Sequence, residues 1–197
     1  MIVARDLERR FGSKRILRGL DLDVGERDFL VVTGPNGSGK STLLSLCAGL
    51  LAPTGGTIDV AAGRGEIGYL AHESLLYKEL TALENLDLYG RLYRVPERRE
   101  RIGMLLERFL LWEARHERIA VFSRGMVQRL ALCRALLHEP RLLLLDEPYT
   151  GLDPAGATLL DGELEALLGA RTIVAATHEP DRLRTLATAR LELVRAA

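Results

Sequence analysis

Lysine is scarce in this chain: of 27 basic residues only Lys14, Lys40 and Lys78 are lysines, and the rest are arginines. The formal net charge is zero, so no global excess of either sign points to a nucleic-acid partner, and none is expected. Cysteine is limited to Cys47 and Cys133, with no CxxC pair and no Cys/His cluster. That rules out a scaffold built on disulfides and reads as two buried, reduced thiols in a cytosolic protein. No apolar run approaches the roughly 18–20 residues that a membrane span needs, so another polypeptide must supply any membrane pathway. Residues 1–10 carry charges among their apolar side chains, which reads as no secretory signal. Linkers, internal repeats and low-complexity tracts are also missing.

What is present has ordinary globular composition: 197 residues, 47% hydrophobic and 27% charged. This suits one domain able to bury about two-thirds to three-quarters of its unfolded surface. Strand-like runs occupy residues 29–33, 57–60, 67–70, 142–145, 172–176 and 191–194. Helical patterns cover 40–50, 83–93, 97–111, 126–137 and 154–168. The unbroken apolar run 142–145 suits a strand covered on both faces, and the alternation of strands with helices predicts an α/β layered core. No convincing strand falls within 72–134, which we read as a helical subdomain inserted into a core made of 1–71 and 135–197. The first ~25 residues are β-rich and predict a small antiparallel sheet.

The run 29–33 leads into Gly34-Pro35-Asn36-Gly37-Ser38-Gly39-Lys40-Ser41-Thr42. This fits the phosphate-loop pattern GxxxxGK[ST] in its required setting, an apolar strand before and a helix after. Glycines let the backbone turn tightly, so successive N–H groups can face phosphate oxygens, and the following helix adds its positive end. Lys40 is expected to reach the β- and γ-phosphates. Ser41 is expected to offer its hydroxyl to Mg²⁺, and Thr42 either packs or contacts the α-phosphate.

The run 142–145 ends in Asp146-Glu147-Pro148. Burying unpaired carboxylates is costly, so an acid pair at a strand end should have a polar task. Asp146 is expected to hold Mg²⁺, and Glu147 to orient or deprotonate an attacking water. His178 follows the strand-like run 172–176, where it can hydrogen-bond the γ-phosphate and hold Glu147 and the water in line. His116 reads as part of a solvated face, and His138 sits near a helix end; neither is given a functional role.

Up to this point any P-loop NTPase would fit. Ser123-Arg124-Gly125-Met126-Val127-Gln128-Arg129 resembles the LSGGQxQR signature of ABC ATPases, with Phe122 in the leading Leu position. The order of motifs is similar to that family over essentially the whole chain: phosphate loop, signature, acid pair, Gly151-Leu152-Asp153 as the D-loop and His178 as the switch. The resemblance implies an ATP- and Mg²⁺-dependent ATPase that works as a head-to-tail dimer. In such a dimer the signature residues Ser123, Arg124, Gly125 and Met126 meet the nucleotide held by the second subunit. It places Asp153 at the interface and Phe11 where an aromatic stacks on adenine, the alternative for Phe11 being core packing. It also implies an integral membrane permease partner and a peripheral location on the cytoplasmic face of the cell membrane.

The signature has its own physical reading. Ser123 is placed to cap a helix starting near Met126, and its hydroxyl, the Gly125 N–H and the helix end make an anion site. Arg124 replaces the first glycine of the pattern and Met126 the glutamine. Arg124 either pairs with phosphate or with acids across the interface, or is a tolerated surface change. His72 stands where most family members carry the Q-loop glutamine, which senses Mg²⁺, the attacking water and the membrane partner. An imidazole can accept at one nitrogen and donate at the other, so it can partly replace that amide. His72 followed by Leu80-Thr81-Ala82-Leu83-Glu84-Asn85-Leu86 resembles the ATP-binding subunit of the bacterial haem exporter of cytochrome c maturation. Haem export is thus the narrower expectation, an exporter of another substrate the alternative. Leu75, Leu76 and Tyr77 suit a receptacle for a partner's helix, or ordinary packing. A non-transport ABC ATPase would usually carry a coiled coil, a zinc module or a second cassette, and the signature argues against a P-loop kinase or GTPase.

Overall fold

The computed structural model describes residues 1–194. Strand β1 (Ile2–Phe11) pairs antiparallel with β2 (Lys14–Val24) on one side and with β4 (Gly55–Val60) on the other. The N-terminal sheet is therefore antiparallel as expected, with order β2-β1-β4, and the strand-like run at 57–60 belongs to it. Its inner side chains, among them Ile2, Ala4, Leu7, Leu17 and Val24, are buried.

The second sheet is fully parallel. Its order is β5 (Ile67–Leu70), β6 (Leu142–Asp146), β7 (Thr172–Ala176), β3 (Phe29–Thr33) and β8 (Ala189–Glu192). Side chains of a strand alternate between faces, so the Leu142–Asp146 strand feeds two cores. Leu142 and Leu144 pack with Leu30, Val32, Val174 and the N-terminal sheet, against α1 (Lys40–Cys47). Leu143 and Leu145 pack with Phe29, Val31, Ile173 and the helices of the opposite layer. Each such leucine contributes about 1.5–3 kcal/mol by leaving water. The result is the α/β core of a P-loop NTPase with an added antiparallel sheet.

The helices on that second face are α2 (Ala82–Leu92), α3 (Arg98–Arg108), α4 (Arg124–Leu136) and α5 (Pro154–Leu167). Helix α2 starts with a reciprocal cap: Glu84 N donates to Thr81 Oγ1 (3.1 Å) and Thr81 N donates to Glu84 Oε2 (2.8 Å). Between β5 and β6 the described residues hold no strand, only an isolated bridge between Thr81 and Arg118.

Several boundaries differ from the sequence expectation. Helix α1 stops at Cys47 rather than at residue 50, and Gly49 (φ 67°) turns the chain out of it. Helix α3 is shorter at both ends, bounded by Glu97 (φ 45°) and Leu110 (φ 55°) in the left-handed region. Helix α4 begins at Arg124, two residues before Met126. The last strand lies at Ala189–Glu192 instead of 191–194, because it is defined by pairing Leu30 with Ala189 through Thr33 with Glu192. Of the window 191–194 only Leu193, just beyond the strand, is buried, while Val194 is exposed.

Candidate active site

Strand β3 delivers the chain into the glycine-rich loop, and two glycines there are required by shape. Gly34 (φ 144°) passes so close to the C-terminal segment that a Cβ would lie 2.3 Å from Leu193 O. Gly39 (φ 103°) is the N-cap of α1, and a Cβ there would press on Ile16 and Leu17 at 2.9 Å. No side chain caps α1, which leaves its first N–H groups facing the loop. Lys40 is 6% exposed; its Nζ donates to Gly34 O (2.8 Å) and lies 3.6 Å from Glu147 Oε1. Ser38 is buried with its hydroxyl unpaired.

Above this loop is a cavity of about 300 Å³. Asn36, Gly37, Gly39, Lys40, Ser41 and Thr42 line it from the loop, His72 and Glu147 from across the sheet. Lys14 and Ile16 complete it from the start of β2, and sequence reasoning did not single them out. Their only signal was that Lys14 is one of so few lysines; it is the hairpin pairing of Phe11 with Lys14 that swings them over the loop. Phe11 itself is 48% exposed, with the Arg9 guanidinium over its ring at 4.5 Å, so it is not a core residue.

The parallel register sets the acid pair and the histidine side by side, since Asp146 pairs with Ala176 on the neighbouring strand. Asp146 is 2% exposed and neither carboxylate oxygen has a hydrogen-bond partner. Burial raises its pKa and Glu147 adds to this, while Ser41, His72 and Lys40 act in the opposite sense. An orphaned buried carboxylate beside a serine hydroxyl fits a hard divalent cation bound through oxygen. Glu147 holds a left-handed backbone (φ 49°), a conformation that costs of order 1–3 kcal/mol outside glycine. Its N–H donates to Ala176 O (2.8 Å), which over-determines the turn. Its carboxylate lies between Lys40 and His178, accepting from His178 N (3.2 Å) and 2.7 Å from His178 Nδ1.

The signature residues sit apart from this cavity. Ser123 is exposed and caps α4, accepting from Met126 N at 3.2 Å. Gly125 packs on the D-loop, where a Cβ would come within 3.0 Å of Gly151 O. Gln128 Nε2 donates to Pro148 O (3.1 Å), tying α4 to the turn after Glu147. Arg124 is exposed, and Asp153 caps α5 by accepting from Gly156 N (2.8 Å). Ser123, Arg124, Gly125 and Met126 do not line the phosphate cavity.

Two further residues escaped the sequence reading. Asn85, fully buried, binds the backbone of Tyr77, Leu80 and Thr81 and so shapes the loop after His72. Arg134, 5% exposed, donates to Tyr69 O and lies over the Tyr89 ring, while Tyr89 Oη donates to Leu75 O. That chain of contacts links α4 to both ends of the same loop. Leu75 and Tyr77 are themselves exposed.

A parallel sheet whose inner strand enters a glycine-rich loop, with an acid pair closing the adjacent strand, defines a P-loop NTPase. The family model described as "ABC transporter" matches residues 17–150, and the chain belongs to that family as its ABC ATPase domain. It is 41% identical over 79% of its length to the uncharacterized ABC transporter ATP-binding protein YxlF of Bacillus subtilis (strain 168), and covers 55% of that protein. It is 40% identical over 87% of its length to the daunorubicin resistance ATP-binding protein DrrA3 of Streptomyces coeruleorubidus, covering 58% of it. The chain thus spans little more than half the length of these curated relatives. Among solved structures, a dimeric post-hydrolysis state of the ATP-binding cassette MJ0796, bound to ADP and Pi, superposes with a TM-score of 0.89. The match is 26% identical and covers 100% of this chain and 97% of that one.

Proposed function

We propose that this chain binds and hydrolyses ATP as one of two cassettes that drive a membrane exporter. One observation carries the reading. Lys40, Glu147 and His178 converge on the phosphate cavity, while the Ser123-capped end of α4 is exposed and lies outside it. The site is half a site, and a second copy turned head to tail would bring its Ser123 hydroxyl and helix end to the terminal phosphate.

The side chains then have distinct tasks. Lys40 and the loop N–H groups grip the β- and γ-phosphates. Phe11 stacks on adenine beside the turn of the β1–β2 hairpin. Ser41 and Asp146 would hold Mg²⁺, with His72 beside them, and when bound it would supply positive charge to offset that building on the phosphates. Glu147 accepts the proton of the attacking water. His178, bonded to Glu147, keeps that carboxylate aimed and donates towards the γ-phosphate oxygens. Loss of the γ-phosphate removes what joins Lys40 of one copy to Ser123 of the other, and the pair opens.

The exposed Leu75 and Tyr77, shaped by Asn85, form the surface proposed for a permease helix, with residues 72–134 as the helical subdomain that moves with it. Among the described residues no helix is long and apolar enough to cross a membrane. A separate permease, with this chain peripheral at its cytoplasmic face, is part of the same proposal and rests on the family resemblance. Haem remains the narrower cargo reading and rests on His72 and residues 80–86 alone. The relatives named above support only the coarser one: the name of DrrA3 concerns daunorubicin resistance. The test is Glu147→Gln: ATP should bind, turnover should fall by at least about 100-fold, and a dimer should accumulate on gel filtration. Wild-type turnover by this variant would overturn the assignment.

A further inference from the structure

Behind the acid pair, three side chains from three separate segments meet. Asp161 projects from the middle of α5. Tyr149, two residues beyond Glu147, donates its hydroxyl to Asp161 Oδ1 at 2.7 Å. Arg182, in the turn Pro180–Leu183 that follows His178, grips the same carboxylate through Nε (3.1 and 3.2 Å) and Nη2 (2.8 Å). The Arg182 guanidinium also lies over the Tyr149 ring, 4.8 Å from its centre. These groups form one closed unit, and its two outer members lead directly to the two side chains that face the terminal phosphate.

The front of the same loops is already tied. Glu147 binds Ala176 through its backbone and His178 through its carboxylate. Gln128 holds Pro148 O from α4, but neither it nor those contacts joins the turn after Glu147 to the turn after His178 behind the site, and Glu147 carries a strained left-handed backbone that needs support. Burial pulls the Asp161 pKa upward, but the bonds from Arg182 and Tyr149 hold it below the usual carboxylate range, so the anchor is charged. An ion pair as open as this one adds little to folding stability, since solvent screens it. A two-pronged carboxylate–guanidinium contact is nonetheless directional, which is what an alignment device requires.

Resting on the hydrolytic reading above, we infer that Asp161 is a positioning residue: it clamps the Glu147 turn to the His178 turn so that both catalytic groups meet the attacking water together. It does not line the phosphate cavity. Its loss should therefore reduce turnover and spare ATP binding, because misplacing a catalytic group by an ångström can cost about 100-fold in rate.

The experiment compares steady-state ATP hydrolysis by the wild-type chain with Asp161→Asn, Arg182→Ala, the double variant and Glu147→Gln, well below each melting temperature. Asp161→Asn should lower kcat about tenfold or more and keep KM for ATP within about twofold. Arg182→Ala should do the same, and the double variant should be no worse than either alone, as expected for one unit. Tyr149→Phe, which removes a single hydroxyl, gives the same test by a smaller fall in kcat should Asp161→Asn yield no folded protein. A wild-type kcat in these variants, or a rise in KM that accounts for the loss, would overturn the inference. Glu147→Gln separates the two claims: if it alone is inactive, the positioning role falls and the hydrolytic reading stands.

Discussion

Asn85 clasps the backbone of Tyr77 from both sides, its Oδ1 accepting from Tyr77 N (2.8 Å) and its Nδ2 donating to Tyr77 O (3.0 Å). The same amide nitrogen reaches Thr81 O at 2.9 Å. One buried side chain on α2 thereby imitates a strand and freezes the loop that carries exposed Leu75 and Tyr77.

Asn85→Ala removes these bonds and leaves the partly buried Tyr77 N–H without its partner, a loss of about 1–3 kcal/mol. The expected outcome is a lower melting temperature together with faster limited proteolysis near Lys78. Asn85→Asp should behave similarly, because a carboxylate accepts from Tyr77 N but repels the Tyr77 and Thr81 carbonyls. If neither variant changes cleavage in the loop, the clasp does not hold it.

Lys40 is the cation that both closes the phosphate loop and faces Glu147. Lys40→Ala should lower ATP turnover by about 100-fold or more, the scale of losing one preorganised charge contact at a developing anion. Weaker binding of a fluorescent ATP analogue should accompany it. Nucleotide affinity and turnover both at wild-type levels would remove Lys40 from the site.

Much of this was legible in the sequence because local chemistry and tertiary position agreed. A four-leucine run ending in Asp146 admits few environments other than a central strand with an acid at its tip. Ser123 before an apolar-periodic stretch marks a helix start whatever packs on it, although the helix begins earlier than the pattern indicated. The failures lie where a distant partner decides. Nothing in the local sequence marks Arg134 out; the docking of Tyr69 and Tyr89 on α4 buries it. Asp161 belongs to no motif; its meaning comes from Tyr149 and Arg182, which lie in other segments. Lys14 and Ile16 enter the phosphate cavity through hairpin register, which no window of sequence records.

The proposed split site makes a prediction that a single-chain site does not. Ser123→Ala should lose the cap of α4, about 1 kcal/mol, and with it the contact to the second copy's phosphate. Mixed with Lys40→Ala, it should regain activity. In a mixed dimer one composite site has both defects and the other pairs an intact Lys40 with an intact Ser123. Equal amounts should then reach about a quarter of wild-type turnover if one intact site suffices. No recovery on mixing would place both residues at the same copy's nucleotide.

Acid sensitivity of folding should trace in part to His138. Its ring stacks on Tyr93 (centroids 4.0 Å apart) and its Nε2 lies 3.1 Å from Ile67 O, which makes Nε2 the protonated nitrogen and leaves Nδ1 buried without a partner. Burial lowers its pKa from the ordinary 6.5; the Ile67 carbonyl opposes this and Arg134 reinforces it. Above about pH 6.5 folded and unfolded chains are both neutral at this ring, so its full contribution is present. As the pH falls the unfolded chain takes up a proton that the folded chain resists, and stability drops until the pH passes the folded pKa. His138→Gln keeps a donor for Ile67 O and cannot titrate. The fall in melting temperature between about pH 7.5 and 5.5 should therefore be smaller in the variant than in the wild type. Parallel curves would assign the acid sensitivity to other groups, because His138 would then carry the same charge folded and unfolded.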